Sequence, residues 1–174
     1  MSSDLNLDLA TAETAPFSPT DGHGDLRPLL GTWLGLTRTW LDPSMPPDEG
    51  QTVARVEAIL GGRFVRMEYR GTVMTRSHAG QMLIGYDSDT GRFTAAWVDS
   101  FHMATGIMTM TGERRPDGAI SLLGSYPAGG QQWGWRTVIR CSDAGQLVLE
   151  SWNIAPDGGE HPAIESRLIG PGLA

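Results

Sequence analysis

Clusters of glycine, aspartate and proline recur along this sequence at the ends of β-prone runs of about ten residues, the pattern typical of strands joined by tight turns. The clusters are Gly61-Gly62, Asp87 to Arg92, Pro116-Asp117-Gly118, Asp143-Ala144-Gly145 and Pro156-Asp157-Gly158-Gly159. These residue types favour hairpin turns, and no window between the clusters keeps an amphipathic helical period beyond one turn. The pattern therefore predicts an antiparallel meander that closes into a barrel or a sandwich.

Of the two, we expect an all-β, up-and-down antiparallel barrel of about ten strands. The predicted strands cover residues 31–42, 51–60, 63–72, 79–87, 92–100, 103–113, 119–126, 131–141, 146–154 and 162–169. The segment Asp25–Leu30 predicts a short helical turn at one barrel end. Residues 1–24 are polar and contain Pro16 and Pro19, which predicts a flexible tail before a barrel domain at 25–174.

The length and the charge of the chain limit which partners and which location we expect for it. A chain of 174 residues can bury a single core, and its formal charge of −7 without an Arg-rich run argues against nucleic acid and anionic membranes as partners. No apolar run reaches the roughly 18 residues of a membrane-spanning helix. Because the start, MSSDLNLDLA, lacks the basic and apolar regions of a secretory signal, we expect a cytoplasmic location.

Residue usage excludes some chemistry. Cys141 is the single cysteine, so neither an intrachain disulfide nor a multi-cysteine zinc site can form. All 13 basic residues are arginine, which excludes a lysine Schiff base. No histidine has a second histidine two or four positions away, so we expect no metal site.

The first two hairpin turns predict which side chains face the interior, because a turn fixes the register. A two-residue turn at Gly61-Gly62 places Glu57 opposite Arg66 and Arg55 opposite Glu68 on an outer, charged face. The inner face then carries Ala54 opposite Tyr69, Val56 opposite Met67 and Ala58 opposite Val65. A loop from Ser88 to Gly91 pairs Tyr86 with Phe93, Ile84 with Ala95 and Met82 with Trp97, and carries Asp99 inward.

A third hairpin predicts a tryptophan-rich interior. With Ser142–Gly145 as a four-residue loop, Trp135 lies opposite Trp152, Thr137 opposite Glu150, Ile139 opposite Val148 and Trp133 opposite Ile154. Glu150 then faces inward and needs a partner, since an isolated buried charge is costly. If the last hairpin pairs Trp152 near Ala163, Glu165 and Arg167 share the face of Glu150. A slip of one residue turns Arg167 outward.

Four motifs resemble the calycin group, and within it a bacterial family known as a domain of unknown function. They are Gly31-Thr32-Trp33-Leu34-Gly35, Ile59-Leu60-Gly61-Gly62-Arg63-Phe64, Leu83-Ile84-Gly85-Tyr86-Asp87 and Trp97-Val98-Asp99-Ser100, in the family's order. The resemblance covers about residues 26–169 and implies a closed barrel, as in lipocalins, fatty-acid-binding proteins and haem-binding nitrobindins. It implies no established activity.

The leading hypothesis is a lipocalin-like barrel that binds an apolar or aromatic small molecule in an aromatic cavity with a few inward polar groups. The candidate ligand-binding residues are Tyr86, Trp97, Asp99, His102, Met108, Trp135, Glu150, Trp152 and Arg167. Arg167 resembles the inward arginine of fatty-acid-binding proteins, although the segment Ser166-Arg167-Leu168 lacks their tyrosine. The alternative is structural: tryptophans, Trp33 among them, that fill the barrel, and carboxylates that accept internal hydrogen bonds.

Two other functions stay open. An enzyme of isomerase, cyclase or hydrolase type would use His102 with Asp99 or Glu150 as acid and base. A haem binder would need a histidine on the inner wall, such as His102. The apolar positions Leu34, Leu36, Trp40, Leu147 and Leu149 are expected on the outer surface, where they would favour a homodimer.

Overall fold

Ten antiparallel strands close into a barrel in the computed structural model, which describes residues 21–103, 105–142 and 144–170. Each strand pairs with its neighbours in the chain, and the first strand pairs with the last, so the barrel has no free sheet edge. The predicted all-β, up-and-down architecture is confirmed.

The strands have the following bounds. They are β1 Gly31–Thr39, β2 Asp48–Ile59, β3 Phe64–Val73, β4 Arg76–Asp87, β5 Arg92–Asp99, β6 Met108–Arg114, β7 Ile120–Ala128, β8 Gln131–Cys141, β9 Gln146–Ile154 and β10 Glu160–Ile169. A helix α1 at Asp21–Gly24 and two 3-10 turns at Arg27–Leu29 and Leu60–Gly62 complete the described elements. None of these helical segments is long and apolar enough to cross a bilayer.

The barrel has two different ends. We call the end that is covered by the chain before β1 the N-terminal end. The turn that precedes β1 closes it, and Leu26 and Leu29 in this turn are each 2% exposed. The Trp33 indole donates a hydrogen bond to the Leu29 carbonyl over 2.9 Å, so Trp33 fills this end as expected for packing. The opposite, distal end carries the β1–β2, β3–β4, β5–β6, β7–β8 and β9–β10 connections.

The helical turn begins earlier than the sequence suggests. Residues 21–24, which we assigned to the tail, form α1, and His23 packs edge-on against the Tyr86 ring with centroids 5.3 Å apart. The rest of the predicted tail, residues 1–20, lies outside the described residues.

Both registers predicted from the first two turns are confirmed. Glu57 pairs with Arg66 and Arg55 with Glu68 across β2 and β3, on an outer face where Glu57 and Arg66 form an ion pair. Trp97 pairs with Met82 across β4 and β5, and Asp99 lies inward and buried. The inward faces of β2 to β5 therefore follow directly from the turn residues.

The β8–β9 hairpin corrects the third register. Ser142 donates its N–H to the Gln146 carbonyl over 2.8 Å, and Gly145 adopts a left-handed φ of 71°. The loop between the paired strands thus has three residues, a common hairpin type that ends in a left-handed glycine, and not four. Every β9 residue consequently points to the opposite face from the prediction.

The predicted inward orientation of Glu150, Trp152 and Arg167 is therefore wrong. Glu150 lies on the outer face, where it accepts a hydrogen bond from Arg140 over 2.8 Å. The Trp152 ring lies under the Arg136 guanidinium, 5.3 Å from the ring centroid. Glu165 and Arg167 do share the face of Glu150, as expected, but on the outside.

The same shift changes the expected outer surface. Leu147 and Leu149 lie on the inward face of β9 and do not contribute to a surface patch. Leu34 and Leu36, at 54% and 51% exposure, stay on the surface as predicted. Trp40 follows the end of β1 and is half-buried.

Candidate functional site

A largely enclosed cavity of about 50 Å³ lies inside the distal end of the barrel. We call it the distal cavity; both polar and apolar residues line it, and most of its surface is apolar. The polar lining residues are Thr37, Thr39, Thr52, Tyr69, His78, Asp99, His102, Thr137, Ser151 and Ser166. The apolar lining residues are Ala54, Met67, Met82, Trp97, Trp135, Leu149, Ile164 and Leu168.

Asp99 ends β5 and is the charged centre of this wall. Its Oδ1 accepts the backbone N–H groups of Phe101 and His102, each over 2.7 Å, and contacts the His102 ring Nδ1 at 3.1 Å. Its Oδ2 accepts the Tyr69 hydroxyl. Burial alone would raise the pKa of this carboxyl, but hydrogen bonds from His102 and Tyr69 hold the pKa of Asp99 well below its ordinary value.

The two backbone hydrogen bonds also explain a boundary error. They turn the chain directly after Asp99, as aspartate side chains commonly do, so β5 ends at Asp99. The predicted strand at 103–113 begins only at Met108. The turn folds His102 back over the barrel interior, and its side chain is 17% exposed.

Tyr69 reaches Asp99 by crossing an intervening strand. Gly80 on β4 lies between them in the register, opposite Tyr69 on one side and Asp99 on the other. A Cβ atom at Gly80 would lie 2.2 Å from the Tyr69 hydroxyl oxygen, so only glycine leaves room for this contact. Trp97 donates its indole N–H to the same hydroxyl over 2.9 Å.

The phenol of Tyr69 stays protonated. Burial and the nearby Asp99 charge raise the pKa of Tyr69 well above its ordinary value. Tyr69 therefore acts as a donor to Asp99 and an acceptor from Trp97, which fixes the orientation of all three groups.

His102 is one of the residues that line the cavity. Its Nδ1 is held by Asp99, whereas its Nε2 is buried and finds no hydrogen-bond partner among the described residues. The ring centroid lies 5.8 Å from Trp97 and 6.2 Å from Trp135. A carboxylate on Nδ1 favours the tautomer with the proton on Nδ1, which leaves the Nε2 lone pair free to accept.

His78 also lines the cavity. The residue, near the start of β4, is 9% exposed, and its ring lies 5.8 Å from Tyr69. Burial lowers the pKa of His78 below its ordinary 6.5. The Asp99 charge and a hydrogen bond with the Gly71 backbone oppose this lowering, and His102 adds to it. Its Nδ1 has no hydrogen-bond partner in the part of the chain that the structure describes.

Hydroxyl groups line the opposite side of the cavity. Thr52 donates to Thr37 over 2.8 Å, and Thr37 and Ser166 share a hydrogen bond of 2.8 Å. Trp135 donates to Thr137 over 2.9 Å, and Thr137 and Ser151 lie 3.0 Å apart. These residues belong to β2, β1, β10, β9 and β8, which are neighbours in the barrel, so the hydroxyls form one continuous arc.

The structure brings together four of the predicted site residues: Trp97, Asp99, His102 and Trp135. The Trp97 and Trp135 rings stack with centroids 5.3 Å apart. Two further candidates lie inside the barrel but away from the cavity: Met108 packs in the core, and Tyr86 packs on α1. Glu150, Trp152 and Arg167 lie outside, as described above.

Sequence reasoning missed Tyr69, His78 and the hydroxyl arc. The confirmed register already placed Tyr69 inward, but the pairing gave no sign that its hydroxyl would reach a carboxylate two strands away. His78 was assigned to a loop because the predicted β4 began at residue 79. Had that strand begun at Arg76, the alternation through Met82 would have placed His78 inward.

Other sites are less enclosed. No group of three or more histidine, cysteine, aspartate or glutamate residues within the described ranges could hold a metal ion. A larger groove of about 610 Å³ lies on the outer wall and is open to solvent. It is lined mainly by outward-facing residues of β2 to β5, such as Arg55, Glu68 and Gln81, and lacks unpartnered buried groups among the described residues.

Comparison with known proteins identifies a family. The family model described as "Protein of unknown function (DUF1579)" matches residues 18–169, which include every strand of the barrel. No curated protein matches the chain.

The close approach at Gly80 gives a first prediction. Replacing glycine by alanine within a strand ordinarily stabilises by about 0.5–1 kcal/mol. Gly80→Ala should instead lower the free energy of unfolding by about 1–3 kcal/mol, because the new methyl group must displace the Tyr69 ring. Urea denaturation measures the change. The control is Gly24→Ala, whose Cβ would meet no atom within 4 Å; a stabilised Gly80→Ala protein would contradict the described packing.

The buried imidazole of His78 gives a second prediction. Because its pKa is lowered in the folded state, the unfolded chain binds more protons below the ordinary value of 6.5. The free energy of unfolding should therefore fall as pH drops below about 6.5, with a His78 contribution of at most about 1.4 kcal/mol per pH unit. Denaturation at several pH values should show a shallower slope for His78→Gln than for the wild type. The exposed control His161→Gln should keep the wild-type slope; equal slopes for all three proteins would rule out a buried neutral His78.

Proposed function

Because the chain belongs to this family of proteins of unknown function, we propose its role from the site itself: a barrel that binds a compact, polar small molecule in the distal cavity. The observation that carries the proposal is the pair of buried ring nitrogens, His78 Nδ1 and His102 Nε2, that have no partner among the described residues and belong to side chains lining one cavity. A buried acceptor without a partner costs about 1–3 kcal/mol, which a ligand N–H or O–H group would recover at each nitrogen.

The size of the cavity sets the size of the ligand. An engineered cavity of about 150 Å³ holds one benzene molecule. A cavity of about 50 Å³ is smaller and suits a ligand of only a few non-hydrogen atoms. Pockets for drug-sized ligands span about 300–1,000 Å³. We therefore propose a ligand of a few non-hydrogen atoms in place of the larger apolar or aromatic molecule expected from the sequence. A haem group does not fit the cavity as described, and we derive no role for it.

The wall suits such a ligand. Apolar side chains, among them Met67, Met82 and Leu149, would exclude water from its body, while the two imidazoles and the hydroxyl arc would orient its polar groups. A pocket with apolar walls and a few convergent polar groups is the usual form of a small-molecule site. The stacked pair Trp97 and Trp135 would report binding, because both indoles line the cavity.

The proposal predicts that filling the cavity abolishes binding. Acetamide has the right size and N–H donors, and its titration should shift the indole N–H resonances of Trp97 and Trp135 in NMR spectra. Ala54→Leu adds three carbons to the cavity wall, at a cost in stability of about 1–3 kcal/mol, and should weaken acetamide binding at least about tenfold.

The matched control is Ala58→Leu, on the same strand toward the N-terminal end of the barrel, where Ala58 is exposed and not inward as predicted. It should leave acetamide binding unchanged. Native mass spectrometry of freshly purified protein would detect a retained small molecule directly. Indole shifts of equal size in both variants, or no shift in the wild type, would contradict binding in the distal cavity.

A second function is supported by the Asp99–His102 contact. A carboxylate that holds one imidazole nitrogen while the other faces a cavity is the arrangement of a general base. His102 would accept a proton from a bound substrate at Nε2, and Asp99 would stabilise the imidazolium. Glu150 has no part in this function, because it lies on the outer face.

General-base activity predicts proton abstraction from a small carbon acid. Acetone fits the cavity, and in deuterated water its methyl protons should exchange for deuterium faster with the protein than with buffer, as followed by NMR. His102→Gln should remove the acceleration, whereas His161→Gln should keep it. Exchange at the buffer rate with wild-type protein would leave binding as the supported function.

Three further expectations remain proposals. We propose that the barrel is of the calycin type and that the protein acts in the cytoplasm. We also propose a homodimer through the outer face of β1, where Leu34 and Leu36 are exposed, and light scattering would test it.

A further inference from the structure

We infer that the distal cavity selects a compact organic cation of the amidinium or alkylammonium type, an inference that rests on the proposed binding function. The observation behind it is a largely enclosed cavity whose lining residues carry two buried ring nitrogens without partners, one buried carboxylate and, among the described residues, no arginine. The two nitrogens favour hydrogen-bond donors on the ligand, and the carboxylate favours a ligand with positive charge.

The charge of the wall is the first argument. Asp99 is the only carboxylate that lines the cavity among the described residues, and its side chain is almost fully buried. Buried charges are ordinarily paired with an opposite charge. The arginines that pair with Glu57, Glu150 and Glu165 all lie on the outer face, so they are not available to Asp99. His102 supplies positive charge to Asp99 only when its imidazole is protonated. Beside a neutral imidazole, a cation in the cavity would supply that charge.

The polarity of the hydrogen bonds is the second argument. Asp99 already accepts from Phe101, His102 and Tyr69, so it contributes its charge and not a free lone pair. The two buried nitrogens without a partner among the described residues are His78 Nδ1 and His102 Nε2. Asp99 favours the His102 tautomer in which Nε2 accepts, and His78 Nδ1 accepts when the ring proton lies on Nε2; each nitrogen then needs a donor. Amidinium and ammonium groups carry only donors, whereas a carboxylate ligand carries only acceptors and would be repelled by Asp99.

The aromatic lining is the third argument. The stacked indoles of Trp97 and Trp135 lie beside His102, and Tyr69 lies beside His78. Tryptophan and tyrosine ring faces attract cations within about 6 Å, most strongly where water is excluded. The cavity therefore offers aromatic surface next to the two nitrogens that would hold the N–H groups.

Three molecules of the same shape test the charge preference. Acetamidinium, acetamide and acetate each have four non-hydrogen atoms and differ in charge from +1 through 0 to −1. At about pH 8 ordinary imidazoles are neutral, so the charge of the probe is the variable. Acetamidinium should bind at least about tenfold more tightly than acetate, with acetamide between them.

The imidazole nitrogens themselves give the readout. Titration of wild-type protein with acetamidinium should shift the ring ¹⁵N resonances of His78 and His102 and leave those of the exposed His161 unchanged. His78→Leu should reduce the affinity for acetamidinium at least about fivefold, while the control His161→Leu should not change it. The wild-type spectra keep the inference testable if His78→Leu fails to fold.

Different outcomes would contradict the cation preference and the binding function. Tighter binding of acetate, or equal affinity for the three probes, would overturn the cation preference and leave a small-molecule site. Binding of acetamidinium that shifts His161 as much as His78 would assign it to the surface and overturn the inference. No shift with any of the three probes would overturn the binding function as well.

Discussion

The buried carboxylate of Asp99 is the interaction on which the distal half of the barrel depends. Removed from water, it needs donors, and it obtains them from the backbone after β5, from His102 and from Tyr69. These bonds set the start of the β5–β6 loop, fold His102 over the interior and hold Tyr69 across Gly80. The candidate site is therefore built by the hydrogen bonds that satisfy the Asp99 carboxylate. Its geometry depends on Gly80, because a side chain there would block the contact between Tyr69 and Asp99.

The two ends of the barrel interior differ: one is packed for stability, and the other holds the candidate binding site. At the N-terminal end, Leu26, Leu29 and Trp33 form a dry plug whose polar indole is satisfied by a backbone carbonyl. At the distal end polar side chains join the apolar ones in the cavity wall, and two nitrogens stay without partners among the described residues. The well-packed apolar end stabilises a barrel whose other end contains buried polar atoms without hydrogen-bond partners. Buried polar atoms are ordinarily hydrogen-bonded, and exceptions to this rule are expected at functional sites.

Local turn chemistry predicted the fold and half of the site. Two of three hairpin registers followed from glycine and aspartate positions, and they placed Trp97 and Asp99 correctly. The third failed because a three-residue and a four-residue loop use similar residues but leave opposite faces inward. The contact between Tyr69 and Asp99 could not be predicted, because it joins strands that are not neighbours and depends on the missing side chain of Gly80.

The loop between β8 and β9 has a consequence for comparing this chain with its relatives. Adding or removing one residue there would exchange the inner and outer faces of all 9 residues of β9 without a single substitution. Ser151 would then leave the cavity wall and Glu150 would enter it. Among family members whose loops differ in length, residues at the same aligned position of β9 can thus belong to opposite sides of the barrel, and an alignment should be anchored on loop length before their roles are compared.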